Sequence, residues 1–98
     1  TVAAWRDVDS RILLRAAYRL VRAQGYVVGN IDSTIIAQAP KMRPYIPAMT
    51  DNICADLGIT AAQINIKAKT MENMDAVGRN EAIAAEAVVL LKQPDCAA

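Results

Sequence analysis

The hydrophobic period of the chain changes at Gly25, and that change limits which layers it can build. Before it, Leu13, Leu14, Ala17, Leu20, Val21 and Gln24 follow the three-and-four spacing of a packed stripe, predicting a helix over 9–24. After it, residues 26–37 are rich in β-branched side chains and read as extended, with Gly29-Asn30 as a bulge or bend. Asp9 or Ser10 can cap the helix start through a side-chain oxygen. Gly25 suits the left-handed position that closes a helix.

The alternation of periods continues downstream. Ile46, Met49, Ile53 and Leu57 share one side of a second helix over 45–57, with Pro47 in its first turn and Gly58 as its stop. Thr60 can cap a short turn through Ala61-Ala62-Gln63. Ile64-Asn65-Ile66-Lys67-Ala68-Lys69 alternates cleanly, as a strand with one buried face does. Residues 70–78 are polar and irregular. Residues 81–91 are ambiguous: the alanines favour helix, the Val88-Val89-Leu90-Leu91 end favours a buried strand, and Pro94 stops either. The expected fold class is α/β (α+β), a mixed sheet with helices on one face, in a single domain over 1–98.

Composition removes several function classes. Eleven Lys and Arg against ten Asp and Glu leave a net charge of +1, so no whole-chain field recruits nucleic acid or an acidic membrane. With no Phe and 4% aromatic residues, a base-stacking platform is disfavoured. The chain has no His, which excludes His-based triads and His metal ligands within it. Cys54 and Cys96 read as two free thiols in a reducing cytoplasm. No apolar run reaches the ~18 residues of a membrane span, and no secretory signal opens the sequence. Thr1 stands where an initiator Met would, and the expectation is a chain that begins inside a longer natural one. Arg11, Arg15, Arg19 and Arg22 fall together on the first helix. They read as a solvated outer face in preference to a phosphate or nucleic-acid surface.

Two segments carry candidate chemistry. In Ala37-Gln38-Ala39-Pro40-Lys41-Met42 a strand ends, small side chains leave the backbone accessible, and two prolines, Pro40 and Pro44, stiffen the loop. Exposed backbone groups there can read a flat base edge while Lys41 meets a phosphate. In Lys67-Ala68-Lys69-Thr70-Met71-Glu72 two cations, a hydroxyl and a carboxylate follow one another at a strand end. A hydroxyl and a carboxylate two apart can approach a phosphate and a divalent cation together. A third group is Gly78-Arg79-Asn80-Glu81 with Glu86. If 81–91 is a strand, one of the two glutamates must be buried and paired or must line a polar axis.

Taken in order, these segments resemble one family. Gly25-Tyr26, then Gly29-Asn30-Ile31-Asp32-Ser33-Thr34-Ile35-Ile36-Ala37-Gln38-Ala39-Pro40-Lys41-Met42, then Asn65 through Glu72, then Gly78-Arg79-Asn80-Glu81-Ala82-Ile83-Ala84 are similar to the 2-C-methyl-D-erythritol 2,4-cyclodiphosphate synthases. The resemblance implies an enzyme of non-mevalonate isoprenoid biosynthesis, a cyclising phosphorus–oxygen lyase acting on 4-diphosphocytidyl-2-C-methyl-D-erythritol 2-phosphate. The 2-phosphate attacks the β-phosphorus within the same molecule and CMP leaves. It further implies a homotrimer whose sheets face a central axis with helices outside, active sites shared between subunits, and a strand over 81–91. An isoprenoid diphosphate is suggested for the central cavity; neither nucleic acid nor membrane is a partner. Location would be cytoplasmic in a bacterium, or plastid in a plant or alga.

By resemblance, residues 37–43 (Ala37, Gln38, Ala39, Pro40, Lys41, Met42 and Arg43) form the cytidine pocket. Ala68, Lys69, Thr70 and Met71 contact the nucleotide and its phosphates. Thr70 and Glu72 are catalytic: Thr70 stabilises the transition state and Glu72 holds magnesium or manganese. Arg79 lines the central cavity, and Glu86 helps pair charges near the axis. The family's zinc is held by an Asp-x-His pair and a further His, all upstream of the part matched here. These 98 residues, the C-terminal portion of such a domain, are by themselves expected neither to hold that zinc nor to catalyse. The alternative is a truncated, trimer-forming module that only binds cytidine nucleotide.

Overall fold

A computed structural model of the chain describes residues 9–38, 41–70, 79 and 82–94. The elements run α1 (Ser10–Ala23), β1 (Val27–Ile36), a 3-10 turn at Arg43–Tyr45, α2 (Ile46–Leu57), a second 3-10 turn at Ala61–Gln63, β2 (Ile64–Lys69) and β3 (Ala84–Lys92). Each expected element is present, and the ambiguous 81–91 segment resolves as a strand. The three strands form one mixed sheet in the order β2-β1-β3, with β2 parallel and β3 antiparallel to β1.

Local chemistry accounts for the boundaries. Asp9 caps α1 by accepting from the Arg11 amide at 2.7 Å. Gly58 closes α2 in the left-handed region at φ 64°, its amide donating to the Cys54 carbonyl. Gly25, at φ 88°, turns the chain from α1 into β1. The bulge expected at Gly29-Asn30 is present: the β1–β3 register shifts between Val28 and Asn30. Gln63 fastens it, its amide nitrogen donating to the carbonyls of Val28 at 3.3 Å and Gly29 at 3.2 Å. The Thr60–Gln63 turn carries the expected cap, in which the Thr60 amide also donates to the Gln63 side chain at 3.0 Å.

Val28, Ile31 and Leu57 make the core cluster, with Leu14, Tyr18, Ile53, Ile59 and Ile64 packed against it. The α2 stripe and the alternation of β2 fall as predicted: Leu57 and Ile66 are buried, and Asn65, Lys67 and Lys69 face out. Helix α1 departs from its predicted stripe. Leu13 is 46% and Leu20 71% exposed, whereas Leu14 and Tyr18 pack inward. The cause is Asp56 on α2. It takes a two-pronged contact from Arg11 (Nε and Nη2, both 2.9 Å) and a third bond from Arg15 (Nη1, 2.8 Å), and its side chain is only 3% exposed. That clamp sets the rotation of α1. It also corrects the reading of the arginine row, since Arg11 and Arg15 tie α1 to α2 and only Arg19 and Arg22 fit a solvated face.

Strand β3 is exposed on both faces apart from its first residue, with Val88 74% and Leu90 62% open. Glu86 is exposed with the rest of the strand, and Glu81, the other glutamate of the expected pair, lies outside the described residues.

Candidate functional site

Parallel pairing of β1 with β2 brings two distant stretches together. Ile35 lies opposite Ala68 and Ile36 opposite Lys69, so the strands end side by side. The Ala37 amide continues the ladder by donating to the Lys69 carbonyl at 3.1 Å. The chains leaving the two strands therefore start from one edge of the sheet, the end where parallel sheets habitually place their ligands.

There they enclose a cleft of about 490 Å³ lined by Ala37, Gln38, Lys41, Met42, Arg43, Pro44, Ala68, Lys69 and Thr70. Seven of these nine residues come from the two segments singled out in the sequence, 37–42 and 67–72. Ala37 and Ala68 supply short walls where a flat ring can approach the backbone. Lys41, Arg43 and Lys69 supply charge. Among the described residues none of these three cations has an ion pair or a side-chain hydrogen bond, and no carboxylate lines the cleft. Three uncompensated cations around a concave, partly apolar pocket suit an anionic ligand with an apolar or aromatic body.

A second cleft, about 580 Å³, adjoins the first and shares Arg43, Ala68 and Lys69 with it. Thr34, Ile46, Ile66 and Lys67 complete its lining. Lys67 is already engaged: its ammonium lies 2.9 Å from Asp32, which also accepts from the Asn65 amide at 3.4 Å. Thr34 and Ile46 were not singled out as site residues in the sequence, whereas Pro44 was named there for stiffening the loop. Thr34 was legible in principle, because strand register sets it opposite Lys67.

The remaining expected site residues fall elsewhere. Ala39, Pro40, Met71 and Glu72 lie outside the described residues. Arg79 is exposed at a turn and lines neither cleft. Among the described residues no group of three or more His, Cys, Asp or Glu could hold a metal ion. No helix among them is long and apolar enough to cross a membrane.

A helix-crossed parallel strand pair with a cationic cleft at its carboxyl end defines an α/β module of the phosphate- or nucleotide-holding kind. More particularly, the chain belongs to the YgbB family, whose model matches residues 1–92. It is 60% identical over 87 residues to the 2-C-methyl-D-erythritol 2,4-cyclodiphosphate synthase of Actinobacillus succinogenes, covering 89% of this chain and 55% of that protein. It is 56% identical over 91 residues to the synthase of the same name from Neisseria gonorrhoeae, covering 93% of this chain and 57% of that protein. Among solved structures, IspF of Plasmodium falciparum in a CDP complex superposes with a TM-score of 0.83 at 36% identity, covering 89% of this chain and 56% of that one. The chain thus spans a little over half the length of these relatives.

Proposed function

We propose that the chain is the C-terminal portion of a cyclodiphosphate synthase. The complete synthase converts 4-diphosphocytidyl-2-C-methyl-D-erythritol 2-phosphate to 2-C-methyl-D-erythritol 2,4-cyclodiphosphate and CMP, in the bacterial cytoplasm or a plastid. One observation carries the reading: the Ala37–Arg43 loop and the Ala68–Thr70 strand end share one cationic cleft. The relative solved with CDP supports a cytidine nucleotide as the occupant. The relatives' shared name favours catalysis over a module that only binds nucleotide.

In this reading residues 37–42 seat the cytosine, with Pro40 and Pro44 lowering the entropy lost when the loop grips it. Lys41 and Lys69 hold phosphate oxygens. The Thr70 hydroxyl donates to an oxygen that gains charge as the 2-phosphate attacks the β-phosphorus, and CMP departs with the bond's electron pair. Glu72 is the carboxylate for magnesium or manganese, which when bound neutralises the diphosphate charge. No protein nucleophile is needed, so catalysis rests on placement and on charge neutralisation. The zinc of the family would be held by residues outside this stretch. The assembly is a homotrimer packed through the apolar β3 face, with Arg79 towards an isoprenoid diphosphate on its axis.

The test is turnover by the full-length protein: release of CMP with formation of the cyclic diphosphate is expected. Release of neither overturns the reading. Glu72→Ala is expected to abolish magnesium-dependent turnover and leave the oligomer intact; full activity in that variant removes the role given to Glu72.

A further inference from the structure

The bond from the Ala37 amide to the Lys69 carbonyl, 3.1 Å long, is made one residue past the end of β1 and at the last residue of β2. The Lys69 carbonyl and the Thr70 nitrogen belong to one peptide group, which resonance keeps planar. A bond that holds the carbonyl therefore fixes the plane from which Thr70 departs. Only φ and χ1 of Thr70 then separate that bond from the hydroxyl, and χ1 is stiff in a β-branched side chain. The bond is also sheltered: Ala37 is 5% exposed, so water competes little for it. The side-chain tie between the same two strands, Asp32 to Lys67, joins half-exposed groups and adds little rigidity. Ala37 is, in addition, where the 37–43 loop begins, so one backbone bond joins the two walls of the cleft.

We propose that the Ala37 amide is a positioning group for the reaction: through the Lys69 carbonyl it holds the Thr70 hydroxyl where charge develops, before substrate arrives. The inference rests on the role proposed for Thr70 and goes beyond it by locating the source of that placement in the end of β1, not in the ligand. A donor set in advance has no reorganisation left to undergo as the phosphorus is attacked. Loss of the bond should therefore appear in kcat and hardly in affinity.

The test is an amide-to-ester exchange at Ala37 in the full-length protein, which removes the N–H and keeps the methyl group. It is expected to lower kcat about tenfold or more, with little change in CDP affinity. The same exchange at Ile35, two residues earlier on the same edge of β1, should cost comparable stability and leave kcat nearly unchanged. In a Thr70→Val background the Ala37 exchange should lower kcat no further, because both changes remove one contribution. An unchanged kcat overturns the proposal, as does an equal loss from the Ile35 exchange or a full further loss in Thr70→Val. Two measurements decide the matter should the Ala37 ester not fold. Hydrogen exchange at the wild-type Ala37 amide should be as slow as in the β1–β2 ladder, and exchange as fast as in an open peptide ends the proposal. Thr70→Ser keeps the hydroxyl but frees χ1, so it should lower kcat without loss of CDP affinity; full kcat there removes the need for preset placement. A wild type that turns over no substrate removes the proposed function itself, a result distinct from all of these.

Discussion

Asp56 shows how one carboxylate can organise two helices. Its pKa is lowered from the ordinary 3.8 to about 2, chiefly by the hydrogen bond from Arg11, with burial opposing and Arg15 reinforcing the shift. The same contact raises the Arg11 guanidinium. A carboxylate depressed on folding stabilises the native state above its unfolded pKa, and that contribution disappears as pH falls through the folded value. Resistance to urea should therefore decline between about pH 4 and pH 2. Asp56→Asn should flatten that part of the profile and lower the midpoint at neutral pH; an unchanged profile would falsify the clamp. Local periodicity could not reveal this residue. It placed four arginines on one side of α1, but the partner of two of them sits 45 and 41 positions away on another helix. Thr70 is a different case, legible because the strand before it alternates so regularly. If it meets the developing charge, Thr70→Val should cut kcat by about a hundredfold or more with little change in CDP affinity, in steady-state and binding assays run together.

At the scale of elements, α2 and β2 match their sequence periods, because one face of each is packed and the other is not. Strand β2 is the clearest instance, with Ile64, Ile66 and Ala68 inward and Asn65, Lys67 and Lys69 outward. Strand β3 resisted the same reading because its residues are apolar on both faces, leaving no alternation to count. In α1 the apolar arc is wider than the contact it makes, so the stripe alone could not give the helix's rotation. Leu57 joins α2 to the sheet through the core cluster, and Leu57→Ala should cost about 2–5 kcal/mol of unfolding free energy in urea titration. Gly58 follows it at φ 64°, where a Cβ meets no neighbour but the backbone is strained for any L side chain. Gly58→Ala should cost about 1 kcal/mol by the same measurement, through conformation and not through a clash.

At the scale of the molecule, the described residues build a thin core for the apolar surface they expose. Among the described residues five hydrophobic side chains are buried, while Ile83, Val88, Val89, Leu90 and Leu91 stand open around one edge strand. Exposed apolar side chains gathered on one strand mark an interaction surface, and the proposed trimer would cover it. Leu90→Lys should shift sedimentation from trimer towards monomer while the far-ultraviolet circular dichroism spectrum is retained. A trimer unaffected by that charge would place the interface elsewhere.

The fastening of the bulge by Gln63 has a consequence for how such a chain tolerates changes in length. The side chain that spans the Val28 and Gly29 carbonyls leads directly into β2, so it sets the phase of that strand against β1 just where their parallel pairing begins. An extra residue between α1 and the bulge can be taken up as slack in the turn at Gly25. One inserted between Gln63 and Lys69 would swap the inward and outward sets of β2 beyond it and carry Lys69 to the wrong side of the sheet.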